Sequence, residues 1–198
     1  MTELVLASSS AYRKALLERL KIPFECYSPE IDESLLDDET GHQQARRLSL
    51  QKARAVAAKF PDSIIIGSDQ VAVLSSKDAD GTLHGHILGK PGNHTQATIQ
   101  LSAQSGHRVS FHSGLAVIYQ GVEKSTVDTT QVTFRRLSAG QIEDYLRTEK
   151  PYDCAGSFKA ESLGISLFSA VDSSDPTSLV GLPLISLCQL LREFDVEI

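Results

Sequence analysis

Ile64-Ile65-Ile66-Gly67-Ser68-Asp69-Gln70-Val71 is the stretch that decides the fold. Three consecutive β-branched apolar residues, followed by Gly and small polar groups, read as a buried strand that delivers a carboxylate to its end. That carboxylate is Asp69. Burying an aspartate beside such a strand is costly unless it is paired, bound to a metal or used in chemistry. The other reading is a turn cap, and the strand alone does not decide between them.

On the N-terminal side, His42 to Phe60 reads as a long helix, with Ala45, Leu48, Lys52, Ala55 and Val56 recurring at three and four residues. Lys52 thus falls among the apolar positions, where it either snorkels outward or points into a cleft. Further back, Leu4 to Ala7 is a short apolar run, and Ser8-Ser9-Ser10 leads into a helix from Ala11 to Leu20 with Ser10 as N-cap. A helix start preceded by hydroxyl residues presents free N–H groups and a positive dipole end, which suits a phosphate. Arg13 stands in the first turn against the dipole preference, either solvated or held there for an anion. Phe24 to Ser28 alternates like a strand and runs into Pro29-Glu30-Ile31-Asp32-Glu33. Those three carboxylates make either a solvated acidic turn or a platform for a hard divalent cation.

On the C-terminal side, Val71 to Leu74 and Thr82 to Leu88 form a hairpin with Asp80-Gly81 at its tip. His84 and His86 place two imidazoles on one strand face, but no third ligand is evident, so exposed histidines are the better reading. The hairpin returns into Gly89-Lys90-Pro91, where Lys90 is placed to project toward the site of Asp69. Asn93 to Ser105 is a weakly amphipathic helix. Val109 to Tyr119 and Val122 to Arg135 alternate as a long antiparallel pair separated by Gln120-Gly121. Ser138-x-x-Gln141 is a capping box for a helix through Leu146. Pro151 to Glu161 is a small-residue loop with Lys159 and Glu161. A second loop covers Asp172 to Asp175, and Gly181-Leu182-Pro183 opens a helix from Leu184 to Leu191. The pattern predicts a single domain over 1–198 of the α/β (mixed α+β) class. It has a central mixed sheet with long hairpins flanked by helices, in two lobes around a cleft.

With 198 residues and 41% hydrophobic composition the chain can bury a substantial core. A net charge of -6 argues against a nucleic-acid polymer as partner, whereas a small anion needs only a local basic pocket. The start Met1-Thr2-Glu3-Leu4 lacks the features of a signal peptide, and no apolar stretch reaches membrane-spanning length, so cytoplasm is expected. Cys26, Cys154 and Cys188 are too few and too widely spaced for a disulfide framework or a zinc site, and read as reduced thiols.

Leu6-Ala7-Ser8-Ser9-Ser10 with Arg13, Pro29-Glu30-Ile31-Asp32-Glu33, Gln51-Lys52-Ala53, Gly67-Ser68-Asp69, Gly89-Lys90-Pro91, Ala155-Gly156 and Val180-Gly181-Leu182-Pro183 together resemble the Maf family of nucleotide pyrophosphatases, in order over nearly the whole chain. The resemblance implies a fold like that of the inosine-triphosphate pyrophosphatases, frequent homodimers, and hydrolysis of a nucleoside triphosphate to monophosphate and pyrophosphate with Mg²⁺ or Mn²⁺. It gives Ser8, Ser10 and Arg13 the triphosphate, Lys52 and Lys90 the charge developing at the α-phosphate, and Glu30, Asp32 or Glu33 the metal. Asp69 becomes the proton acceptor for the attacking water.

Within the family, Tyr12, Gln70 and Glu161 resemble the branch acting on 7-methyl-GTP; the branch acting on dTTP and UTP carries Arg, Thr and Gln there. Methylation at N7 puts positive charge on guanine, which an aromatic such as Tyr12 attracts by about 0.5–2 kcal/mol. Glu161 supplies acceptors for the two donors of the guanine edge. The implied role is house-cleaning, the removal of modified nucleotides before they enter nucleic acids. The alternatives are a dTTP/UTP pyrophosphatase and a nucleotide-binding regulator of cell division; binding alone does not require Asp69.

Overall fold

In the computed structural model of the chain, residues 3–77, 80 and 83–198 are described, with Ser76, Lys77, Leu83 and His84 described by their backbone alone. The expected hairpin tip at Asp80-Gly81 and the side chain of His84 therefore fall wholly or partly outside the described residues, while His86 is exposed. The elements are β1 (Leu4–Ala7), α1 (Ala11–Glu18), β2 (Phe24–Cys26), α2 (Gly41–Ala57), β3 (Ile64–Lys77), β4 (Leu83–Leu88), α3 (His94–Gln104), β5 (Arg108–Tyr119), β6 (Val122–Phe134), α4 (Ala139–Glu149), β7 (Phe168–Asp172) and α5 (Leu184–Arg192). The strands join in the order β2-β1-β3-β5-β6-β7, with β4 on β3. β1 runs parallel to β2 and β3, whereas β4 and β7 pair antiparallel to β3 and β6, which makes the sheet mixed as expected.

The chain divides into two compact units, one of residues 1–70, 113–128 and 174–198, the other of 71–112 and 129–173. In the first, Leu4 lies opposite Ile64 and Ala7 opposite Gly67. Because side chains alternate across a strand, Ile64 and Ile66 join Leu4, Leu6, Leu16, Leu17, Leu187 and Leu191 on one face, while Ile65 joins Val5, Ala53 and Val56 on the other. Helices α1 and α5 thus cover one face and α2 covers the other, and the continuous apolar run of Ile64 to Ile66 follows from burial on both faces.

α2 approaches the sheet closely. A Cβ on Gly67 would stand 2.3 Å from the Ser49 carbonyl oxygen, and one on Gly114 would stand 2.1 Å from that of Ala45. Thr40 and Gln43 form a reciprocal capping box at the start of α2, a Thr-x-x-Gln signal that the sequence carries as plainly as Ser138-x-x-Gln141. The two-residue link Gln120-Gly121 has φ of +48° and +78°, as a tight hairpin turn of the primed type requires.

The second unit is built on α3, α4 and an aromatic cluster in which Phe111, Phe134 and Phe168 each meet Phe158 edge-on, with centroids 4.9 to 5.7 Å apart. Strand β7 lies within the 163–172 stretch, which the sequence left without a strand. Ser169 to Asp172 are all exposed, so no alternation of apolar and polar side chains marks them.

Candidate active site

Gly67 faces α2, so Asp69, two residues further along β3, projects to the same face and into the end of that helix contact. There it meets Lys52, whose Nζ lies 2.5 Å from Asp69 Oδ1 and 2.8 Å from Glu33 Oε1. Lys52 and Asp69 are 8% and 7% exposed, and the pair is therefore largely withdrawn from water. An ion pair so placed holds little net stability, because desolvation offsets most of the attraction. Its position beside an exposed Glu33 side chain gives the ammonium two anionic partners at once.

Ser68 points the opposite way from Asp69. Its hydroxyl, fully buried, lies 2.8 Å from the Gly114 carbonyl oxygen and 2.9 Å from that of Gly181. The Gly181 oxygen also accepts Arg13 Nε at 2.8 Å. Arg13 Nη1 reaches Ser8 Oγ at 3.5 Å, and Ser8 Oγ accepts the Ser10 N–H at 3.1 Å. Ser10 caps α1 as expected, accepting the Arg13 N–H at 3.4 Å. Burial pushes the Arg13 guanidinium below its ordinary value, and the charges of Asp69 and Glu33 oppose that shift. Arg13 is thus held rather than solvated. Ser8, Ser10 and Arg13 form one hydrogen-bonded group at the N-terminus of an eight-residue helix, a site type that binds anions.

Gly181 belongs to a turn fixed by Asp175 and Thr177. Asp175 Oδ1 accepts the Thr177 N–H and hydroxyl at 2.8 and 2.6 Å, and Oδ2 accepts the Ile185 N–H at 2.6 Å. Gln70 reaches the same turn, with Nε2 3.1 Å from Ser113 Oγ, 2.9 Å from the Ser178 oxygen and 3.0 Å from the Leu179 oxygen. Its N–H groups are committed to protein. Tyr12, beside Arg13, is half-buried.

Of the three acidic residues at 30–33, Glu33 alone comes to Lys52. Asp32 Oδ1 instead accepts the N–H and hydroxyl of Ser34 at 2.9 and 2.5 Å, which holds its carboxyl below the usual range, and Glu30 is exposed. Among the described residues no three His, Cys, Asp or Glu side chains gather as metal ligands, so Glu30, Asp32 and Glu33 do not form one cluster.

Lys90 and Glu161 lie in the second unit, both exposed. The Lys90 loop is held on both sides: the Gly89 oxygen accepts Gln100 Nε2 at 3.0 Å, and the Gly92 N–H donates to the Tyr152 oxygen at 2.9 Å. Sequence reasoning did not single out Ser68, Asp175, Thr177 or Gln100. For Asp175 the signal was present, since Asp-x-Thr with two hydroxyl neighbours is an Asx-turn composition; for Gln100 there was none.

These features set a hydrogen-bonded helix start beside a buried lysine and carboxylate, on a fold of the HAM1 class. The chain is similar over 98% of its length to a HAM1 protein from Coxiella burnetii, all of which is covered, with a TM-score of 0.53 and 17% identity. The Staphylococcus aureus Ham1 protein gives 0.50 and 12% over the same 98% of this chain and all of its own. The chain belongs to the family described as Maf-like protein, whose model matches residues 3–194. Its relatives include the 7-methyl-GTP pyrophosphatase of Pseudomonas savastanoi pv. phaseolicola, 51% identical over the whole of both chains, and that of Xanthomonas axonopodis pv. citri, 48% identical over the whole of both. Among the described residues no helix is long and apolar enough to cross a membrane.

Proposed function

We propose that the chain is a nucleoside triphosphate pyrophosphatase that hydrolyses 7-methyl-GTP to 7-methyl-GMP and pyrophosphate, with 1–198 acting as one functional domain. The observation that carries the chemistry is Lys52 shared between Asp69 and Glu33. While Asp69 Oδ1 accepts the Lys52 ammonium, that oxygen is engaged with the lysine and not with water. A triphosphate bound at Ser8, Ser10 and Arg13 offers Lys52 a new anionic partner. Asp69 then accepts a proton from water, the water oxygen bonds to the α-phosphorus, and the bond from that phosphorus to the bridging oxygen breaks with pyrophosphate leaving. Lys52 and Lys90 offset the charge that develops, the term on which phosphoryl-type transfers chiefly depend.

A divalent cation fits this donor set. Mg²⁺ is satisfied by one or two carboxylates plus substrate phosphates, and Glu33 is the carboxylate of the acidic loop that pairs with Lys52. When bound, Mg²⁺ or Mn²⁺ acidifies water and neutralises phosphate charge. Asp32 is engaged with Ser34 and Glu30 is exposed, so Glu33 is the first choice of the three.

Base selection falls to Tyr12 and Glu161, with Gln70 as a third polar group. The names of relatives about half identical over the full chain support 7-methyl-GTP as substrate. The test is pyrophosphate release with Mg²⁺ or Mn²⁺ from 7-methyl-GTP, GTP, dTTP and UTP. Preference for 7-methyl-GTP is expected, and preference for dTTP or UTP overturns the base assignment. Tyr12→Arg with Glu161→Gln should lower kcat/KM for 7-methyl-GTP by about tenfold or more, as the loss of a charge-assisted contact and a cation–π contact predicts. Unchanged selectivity in that double variant rules these two residues out as the base readers.

A further inference from the structure

Gly156 and Ser157 are consecutive residues with φ of +75° and +64°, in the loop that leads to Glu161. Glycine adopts that region freely, whereas a serine is held there against its preference. Ser157 is also fully buried. Two glutamines one turn apart on α3 hold the pair: Gln104 Nε2 lies 2.8 Å from the Gly156 oxygen, and Ser157 Oγ donates to Gln100 Oε1 at 2.6 Å. The other end of the Gln100 amide donates to the Gly89 oxygen, one residue before Lys90. A carbonyl only accepts, so the amide nitrogen must face Gly89 and the oxygen must face Ser157. One side chain therefore joins the Lys90 loop to the Glu161 loop through two bonds of opposite polarity.

We propose that Gln100 is a positioning residue for the hydrolysis, setting Lys90 through its N–H and the 154–161 loop through its oxygen. This rests on the role given above to Lys90. The amide supplies its donor and its acceptor from different atoms, which separates the two links by mutation. Gln100→Glu keeps the acceptor for Ser157 but sets a carboxylate against the Gly89 carbonyl, which severs the Lys90 side. Ser157→Gly removes the hydroxyl at a position that suits glycine and keeps the bond to Gly89.

The measurement is steady-state hydrolysis of 7-methyl-GTP and GTP by both variants, by Lys90→Ala and by the double variant Lys90→Ala/Gln100→Glu. Gln100→Glu is expected to lower kcat about tenfold for both nucleotides with their kcat/KM ratio unchanged, a loss typical of a displaced group. Ser157→Gly is expected to keep kcat within about twofold while raising KM and narrowing the ratio between the nucleotides, since its effect falls on binding. In the Lys90→Ala background Gln100→Glu should add nothing. Effects that multiply in the double variant, or a Gln100→Glu enzyme as fast as wild type beside a slow Lys90→Ala, overturn the positioning role alone. A Lys90→Ala enzyme with full activity overturns the underlying assignment of Lys90 as well.

Discussion

Asp69→Asn is expected to lower kcat for pyrophosphate release by about a thousandfold, the middle of the range for loss of a general base, while the nucleotide still binds within a few-fold of wild type. Asparagine is nearly isosteric and keeps an oxygen for Lys52, which also retains Glu33 at 2.8 Å. The variant therefore leaves no buried ammonium unpaired, and the stability change should stay near the 1–3 kcal/mol associated with one altered charged hydrogen bond. Single-turnover hydrolysis and equilibrium binding of a non-hydrolysable analogue separate the two effects. Turnover near the wild-type rate sinks the base assignment. Weak binding with an unchanged chemical step would instead mean that Asp69 acts mainly through Lys52, as a holder of the phosphate-neutralising ammonium.

Much of this site was legible because its parts obey local rules. The run Ile64 to Ile66 forced a doubly covered strand, period-two alternation then fixed which face Asp69 takes, and a lysine at an apolar helix position pointed inward to meet it. Ser10 and Ser138 cap helices because their hydroxyls have no better partner than a free N–H one turn on. What local rules could not supply were partners chosen by distant chain. An acidic run reads the same whether solvated or folded against a helix, so nothing in 30–33 distinguished Glu33, which takes Lys52, from Asp32, which closes its own turn on Ser34. Nor could Gln70 be seen to anchor its N–H groups on carbonyls at Ser178 and Leu179, more than a hundred residues away. Strand β7 escaped notice because an exposed edge strand is defined by its neighbour's hydrogen bonds and not by its own side chains.

Gly114→Ala should give one of the largest losses of stability of any glycine-to-alanine change among the described residues. The new Cβ would sit 2.1 Å from the Ala45 oxygen and 2.5 Å from its carbonyl carbon, and both are helix backbone that no rotamer change can move aside. Relief requires α2 to rise from the sheet, which also loosens the close approach at Gly67 and the core contacts of Ala53 and Val56 with Val5 and Ile65. Overpacking of this kind costs about 3 kcal/mol or more, which for a chain of this length corresponds to a fall in Tm of roughly 6–12 °C. Gly140→Ala provides the opposite sign. It lies in α4 with no heavy atom near its would-be Cβ, so the helix gain of about 0.5–1 kcal/mol should raise Tm slightly. Because α2 also carries Lys52, Gly114→Ala should lower kcat at a temperature where the protein remains folded, whereas Gly140→Ala should not. A Gly114→Ala protein that melts within about 2 °C of wild type, less than 1 kcal/mol by the same conversion, would show that α2 does not rest on the sheet at that glycine.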